Sequence, residues 1–508
     1  MEDTMKSVKW LLALALVVGI GFAIGVSCSN NGTGSHVSVG NPDVMIQNLR
    51  TESCTVKQGG AQNFNVISRC CFPATNPKIP SCWGFNPDAP YVAPYLPDAD
   101  GQEQHNASGL YDSNMTVSLA YRLAENEAVV LVGKTPPPVT YFSYVPYLFI
   151  RYSQELGRYV RIFATMTDTI NHRNIKTSGT PNGSGDDPFD KDTVVIVTAD
   201  RNTDRLVRRA AVQAGYSELI INTLIIPSEI ARMGLEAGKD EFVIFNRMAL
   251  PPEDEASKKK FNDYLIAPGI RAFRVTPNEG GIEAFATPAV TARASGANEN
   301  SMTDSLDSLR RAILSQYAAY TVKEHDTKIW IPEGRDCIAS NMECIGENHD
   351  TVYLRMPGST TDYPVSGPEL FTLSENADDF AIVYGVNHVA TGKATYHSIS
   401  AYGNDRLNGL VTLTHRSFTG SAAKYLPNDP NANKLYVVKV ARHCSADETD
   451  PCMEIPAGGC PVDDLTNYGS PADAELFLVI RAYVDPTTNV GPSPEEILFD
   501  RTIHMTRG

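Results

Sequence analysis

The spacing of apolar positions changes character along the chain, and each change predicts a different kind of element. Residues Trp10 to Val26, WLLALALVVGIGFAIGV, are apolar without interruption and carry no charge. That run reaches the lower edge of a membrane-spanning helix, which needs roughly 17–25 mostly apolar residues. It follows Lys6 and Lys9 in a short amino-terminal region, an order that predicts an export signal or a retained membrane anchor over residues 1–28. Small residues before Ser27 and Cys28 suit cleavage. Cys28 is also a candidate for lipidation, although Gly25 stands where such sites usually carry Leu, Val or Ile. Cleavage, lipidation and retention all put the remaining residues outside the cytoplasm, secreted or anchored to a membrane by the N-terminal segment.

Residues 29–125 show little periodicity. A short strand is expected around 42–50, and seven prolines then fall between Phe72 and Pro97. Proline lacks the N–H that helices and central strands need. Trp83, Phe85, Tyr91 and Tyr95 nevertheless supply apolar material, so the segment is expected to be ordered and irregular.

From Ala128 the pattern becomes strand-like: AVVLVG, then VTYFSYVPYLFIRY and RYVRIFATM. Alternation places Tyr141, Ser143, Val145 and Tyr147 on one face and Phe142, Tyr144 and Pro146 on the other, as core filling or as a cleft wall with Arg151 and Arg158 at its rim. Asn171 to Asp187 reads as a polar loop. Its acidic end, Asp186, Asp187, Asp190 and Asp192, has the oxygen ligands calcium favours but not the EF-hand spacing. Next come the strand DTVVIVTA, a helix with Leu206, Ala210 and Ala214 on one face, the strand SELIINTLII, a short helix SEIARMGL and the strand DEFVIFNRMAL. Strands alternating with helices predict a helix-covered sheet. The turn Ala199 to Thr203 has no glycine, so it cannot wrap a diphosphate; Asp200 is either a helix cap or a group at a functional strand end. Helices are expected over PPEDEASKKKFNDYLI and Met302–Thr321, and strands at APGIRAFRVTP and IEAFATPAV.

The last third alternates apolar and polar residues in short runs: TKIWIP, TVYLRM, DFAIVYG, ATYHSISAY, GLVTLTH, KLYVVKVARH and AELFLVIRAYV. The fold class is therefore α+β and multidomain, a central α/β layer with a helix-covered sheet followed by a mostly β C-terminal domain. The expected divisions are 1–28 (signal or anchor), 29–125 (irregular, Cys/Pro-rich), 126–325 (α/β) and 326–508 (β-rich, disulfide-stapled). A faint echo links Ala128–Gly133 with Tyr141-Phe-Ser143 to Ala381–Gly385 with Tyr396-His-Ser398. Its spacing is too uneven to establish a repeat.

Composition narrows the function classes. The 508 residues carry a formal charge of -16, which argues against a nucleic-acid partner, since that requires a basic face. Ten cysteines are clustered, with none between Cys82 and Cys337, a pattern that suits local disulfides in an exported protein. Cys337 and Cys344 look like one closed loop. Cys444, Cys452 and Cys460 form a group of three, so one pairs elsewhere or stays free. No Cys-x-x-Cys occurs and closed-zinc spacing is missing. Asn31, Asn106, Asn114 and Asn182 fit the glycosylation pattern.

Catalytic motifs are scarce. There is no Gly-x-Ser-x-Gly and no His-Glu-x-x-His, and Gly392-Lys393 lacks the spacing of a phosphate loop. Polar groups do gather between Asn387 and Arg416: His388, Lys393, Tyr396, His397, His415 and Arg416. His388, His397, His415, Arg416 and Tyr396 are the candidate catalytic set. His388, His397 and His415 are candidate metal ligands, because imidazole offers one nitrogen to a metal or proton while the other is oriented. Glu324-His325-Asp326 cannot all face one way in a strand. No cofactor is identified. Two readings follow. One is an exported hydrolase or acid–base enzyme acting on an organic ester, lipid or glycan. The other is an extracellular, disulfide-stabilised binding or structural glycoprotein. Partners are thus a small molecule, lipid or glycan, with the membrane reached through an uncleaved N-terminal segment or a lipid on Cys28.

Overall fold

The computed structural model describes residues 40–64, 86, 88–102, 111–112, 117–357, 370–404, 407–458, 469–472 and 474–507. The leader 1–28, Asn31, Asn106, Asn114, Cys70, Cys71, Cys82, Cys460 and most of the proline-rich segment lie outside these residues. Among the described residues no helix is long and apolar enough to cross a membrane.

Asn41 begins the first element. Its side chain accepts from the amides of Asp43 (2.9 Å) and Val44 (3.4 Å), and Pro42 takes the first turn. Met45, Ile46 and Leu49 then bury one side of a helix, Pro42–Thr51, where a strand was expected. An Asn cap followed by Pro is a start signal that outweighs the β-character of Val44 and Ile46.

The chain is mixed α+β, with a helix-covered sheet in its N-terminal half and a more β-rich C-terminal half. The first sheet has the order Cys54–Gln58, Ile270–Pro277, Ala128–Lys134, Asp192–Thr198, Ile221–Ile225. All its neighbours are antiparallel except the last pair. A parallel pair needs a crossover, supplied by the helix Arg201–Gln213. On one face Met45, Leu49, Val207 and Ala210 pack against Val130, Val132 and Ile196. On the other, Val129, Leu131 and Val197 pack with Phe142, Tyr144 and Ile244 of a second sheet. That sheet runs Tyr91–Pro97, Glu241–Ala249, Tyr141–Ser153, Arg158–Thr165 through its centre.

The C-terminal half repeats the order of the first sheet and of the four central strands of the second. Its first sheet has the order Thr321–His325, Arg501–Thr506, Asp379–Val386, Leu435–Ala441, Cys452–Glu454, again antiparallel until a final parallel pair. Its second runs Thr351–Met356, Leu476–Tyr483, Tyr396–Gly403, Asn408–Thr414. The helix Thr303–Gln316 covers the outer face through Leu306, Leu309 and Ile313. Register matches too. Tyr141 lies opposite Ala249 and Ser143 opposite Arg247, as Tyr396 lies opposite Tyr483 and Ser398 opposite Arg481. The halves differ at the parallel pair: in place of a helical crossover, the loop 442–451 is clipped by Cys444–Cys452. The sheets therefore draw residues from both sides of the divisions expected at 125/126 and 325/326, because Cys54–Gln58 and Tyr91–Pro97 are strands of the first half and Thr321–His325 is a strand of the second.

The two halves meet through their second sheets. Arg247 donates from Nη1 to Tyr147 Oη (2.7 Å) and across the junction to the Gly346 carbonyl (3.0 Å), and from Nη2 to Tyr91 Oη (3.1 Å). At the matched position Arg481 donates to Tyr402 Oη (2.8 Å). Between them is a void of about 10 Å³, room for about one water. The Tyr141 and Tyr483 rings meet across the same seam with centroids 4.6 Å apart and planes tilted by 50°. The aromatic run 141–149 is thus fully buried packing, and Arg151 is held by Asp240 at 2.7 Å.

Three further expectations differ from the structure. SEIARMGL is a turn, because the Ile230 and Ala231 amides both bond the Pro227 carbonyl and Arg151 takes the Ile230 carbonyl. IEAFATPAV makes a single bridge, Asp200 to Ala284, and otherwise runs without regular structure. The acidic loop is neutralised by lysines, Asp187 with Lys191 (2.7 Å) and Asp190 with Lys134 (3.3 Å). Cys337 and Cys344 form the expected disulfide. Cys54 is a buried free thiol, pushed up to about 11 by burial and by Glu52.

Candidate functional site

The strand Asp379–Val386 ends at Asn387, whose Oδ1 accepts the Val389 amide (3.1 Å) and turns the chain. That turn carries His388 inward. His397 is the second residue of the strand Tyr396–Gly403 and shares its inner face with Ile399 and Ala401. Alternation therefore sends Tyr396 the other way, to the seam, where its ring lies 5.2 Å from Tyr483. The two imidazoles meet with centroids 4.6 Å apart.

Asp500, just before the last strand, completes the group. Its Oδ2 is 3.8 Å from His388 Nε2 and its Oδ1 is 4.0 Å from His397 Nε2. Tyr436 donates to Oδ1 at 2.5 Å. Glu299 stands behind His388, with both carboxylate oxygens 3.0 Å from Nδ1. Glu299 also accepts from Thr391 Oγ1 (2.6 Å) and from the Leu498 amide (2.9 Å). His388, His397 and Asp500 have no exposed surface. Burial opposes charge on His388, but Glu299 and Asp500 overcome it and raise the imidazole to about 10. Burial, with the charge of His388, holds His397 well below its usual value. Glu299 is lowered despite its burial, because His388 and these hydrogen bonds favour its anion. The donors placed to share a cation are His388, His397 and Asp500.

His415 and Arg416 are not among the donors of this group. His415 opens the short helix His415–Phe418, with its ring 6.3 Å from Tyr396; burial and Arg416 lower it. Arg416 is exposed and bridges the halves through the Pro251 carbonyl (2.7 Å) and Thr140 Oγ1 (3.1 Å). Lys393 is sealed between Asp485 and Glu496, at 2.7 Å from each. The structure thus unites two of the expected histidines and supplies Asp500 and Glu299 in place of the third. Neither acid lies near the histidines in sequence, so spacing gave no signal for them.

A second titratable group lies at the seam. His349 Nδ1 is 2.9 Å from Glu333 and its Nε2 is 2.9 Å from the Thr291 carbonyl. Glu347 accepts from Thr165 Oγ1 at 2.5 Å. Burial, reinforced by Glu333, raises Glu347 to about 7 against that hydrogen bond. Glu333 resists its own burial and falls to about 2, held down by His349 and Arg293. Its side chain is 47% exposed, so this group, unlike the first, is open to solvent on one side.

No protein-family model matches the chain, and no curated protein matches it. Among solved structures, an uncharacterized protein from Burkholderia cenocepacia is similar at 11% identity and a TM-score of 0.36, over 92% of this chain and 91% of that one. A protein from Vibrio parahaemolyticus is similar at 10% identity and a TM-score of 0.36, over 84% and 90%. Neither likeness bears on the chemistry of the site.

Proposed function

We propose that the chain is an extracytoplasmic, disulfide-stabilised protein that works through binding or as a structural element, and that its histidine group is not a catalytic centre. The observation that carries this is the burial of the group: His388 and His397 have no surface that a substrate could touch, whereas catalysis needs a group within reach of the reacting atoms. The local Cys337–Cys344 and Cys444–Cys452 bonds support an oxidising compartment, and the apolar leader supports export. The class of ligand proposed for it is a small molecule, lipid or glycan. Glu333, Glu347 and His349 favour a second reading, an acid–base enzyme, since a carboxyl near 7 beside a solvent-reached carboxylate suits proton transfer.

Thiol mapping by mass spectrometry on protein from its own cells, with a screen of ester, phosphoester and glycoside substrates, tests the proposal. The expected result is intact Cys337–Cys344 and Cys444–Cys452 bonds, a reduced Cys54 and no turnover. Reduced thiols throughout in a cytosolic product would refute the localisation. Turnover that disappears in Glu347→Gln would establish the second reading.

A further inference from the structure

The group His388, His397 and Asp500 has more donor capacity than the protein uses. His388 Nε2, both ring nitrogens of His397 and Asp500 Oδ2 are buried without a hydrogen-bond partner. Buried polar atoms are normally paired, and each one left alone costs roughly 1–3 kcal/mol. Four in one place call for a missing partner. The separations of 3.8 and 4.0 Å to Asp500 are too long for hydrogen bonds. The 3.8 Å from His388 Nε2 to Asp500 Oδ2 is only slightly longer than the spacing of two atoms that each sit about 2.0–2.2 Å from a shared ion, and His388, His397 and Asp500 each offer a donor atom within 4.8 Å of the others.

Two buried carboxyls, Glu299 and Asp500, flank the His388 imidazole, a setting that suits a bound cation. The surroundings already have the form that metal ligands require, in which the distal imidazole nitrogen and the spare carboxylate oxygen are oriented from behind. Glu299 holds His388 Nδ1 and Tyr436 holds Asp500 Oδ1. Gly385 leaves the space that the Asp500 carboxylate occupies, since a Cβ there would collide with it.

The duplication supplies an internal comparison. Phe142, opposite Met248, stands at the position in the first half that His397, opposite Ala482, holds in the second. An apolar ring therefore fits this place in the plan, and packing alone does not require the imidazole.

We propose that His388 Nε2, His397 Nε2 and Asp500 Oδ2 bind one divalent first-row transition ion, with Glu299 and Tyr436 orienting the ligands. Two imidazoles and one carboxylate are the donor set of zinc or iron(II) and not of calcium or magnesium. Three protein ligands leave a position for a water, which this burial seals from bulk solvent. A groove of about 410 Å³ lined by Arg310, Glu324, Asp326 and Arg501 runs along the segment that carries Asp500. The inference holds for either functional reading, because it concerns what fills the group.

The test uses the full chain, stripped with a chelator and then loaded separately with Zn²⁺, Fe²⁺ (without oxygen) and Co²⁺. We expect about one equivalent per chain by elemental analysis, from either Zn²⁺ or Fe²⁺, and a higher melting temperature on loading. Co²⁺ should show visible bands of nitrogen and oxygen coordination. His397→Phe, which copies Phe142, should lower uptake at least about tenfold, while His415→Ala should bind as the natural chain does. Failure of the natural chain to take up either ion would overturn the proposal. So would full uptake by His397→Phe, or equal loss in His415→Ala. If His397→Phe does not fold, the Co²⁺ spectrum and the melting shift of the natural chain decide.

Discussion

Glu127 and Arg274 form an ion pair with almost no exposure, 0% and 1%. Glu127 Oε2 accepts from Arg274 Nη1 (2.6 Å) and from the Ala124 amide (2.9 Å), and Oε1 accepts from Thr276 Oγ1 (2.6 Å). Arg274 also donates to the carbonyls of Arg122 (3.0 Å) and Pro97 (3.2 Å). Replacing Glu127 with Leu strands a guanidinium in the core. Breaking a buried pair from one side costs about 3–5 kcal/mol, and three hydrogen bonds to a charged acceptor, at about 1.5–3 kcal/mol each, are enough to account for that loss. Leu burial offsets part of it, so the expected loss is about 3–4 kcal/mol. Replacing both residues, Glu127→Leu with Arg274→Met, removes the stranded charge and should recover at least about 2 kcal/mol, because a buried pair exchanged for apolar groups is often near neutral. The assay is urea unfolding at pH 7 of both single variants and the double variant, followed by near-UV circular dichroism and fluorescence, whose coincidence checks cooperativity. A loss below about 1 kcal/mol in Glu127→Leu, or strict additivity of the two changes, would refute the reasoning.

Two other predictions rest on equally local observations. Asp200 caps the helix Arg201–Gln213, accepting from the Asn202 and Thr203 amides (3.3 and 3.0 Å), and also takes the Glu283 amide at 2.6 Å. Asp200→Ala should therefore cost about 1–2 kcal/mol in thermal unfolding, with Asp200→Asn recovering most of it. Glu347 is raised from 4.5 to about 7 by burial. A carboxyl raised in the folded state binds protons more tightly there, so its ionisation costs stability as pH rises from 4.5 to about 7 and no more above that. The interval corresponds to about 3 kcal/mol. Stability measured from pH 4 to 8 should fall by that order in the natural chain relative to Glu347→Gln, and parallel curves would contradict the assignment.

Elements with a strong period were legible in the sequence, and those made by distant residues were not. The strand Asp192–Thr198 follows from its short apolar run, the helix Arg201–Gln213 from its apolar period, and the C-terminal strands from alternation. Val44, Met45 and Ile46 have the look of a strand, and only Asn41 and Pro42 ahead of them mark Pro42–Thr51 as a helix. The duplicated plan was visible only as an echo, since insertions of unequal length separate strands whose register nevertheless agrees. At the candidate site, His388 and His397 were within reach of sequence reasoning because one turn and one strand bring them together. His415 was expected on the same face, and the regular pairing of Ser398 with Thr414 leads toward that place, but the strand ends there and the chain turns into the helix His415–Phe418. Glu299 and Asp500 arrive from opposite ends of the C-terminal half, and no local pattern announces them.

The paired Tyr–Arg faces at the seam have a consequence for how such a chain can change over time. Were the two halves separate molecules, each would have to find a twin in dilute solution, and every substitution would appear on both sides of the contact. Tethering them holds the partner at an effective concentration in the millimolar range or above and frees each side to vary alone. His397 against Phe142, and a cystine clip against the helix Arg201–Gln213, are the asymmetries that a single covalent thread makes available.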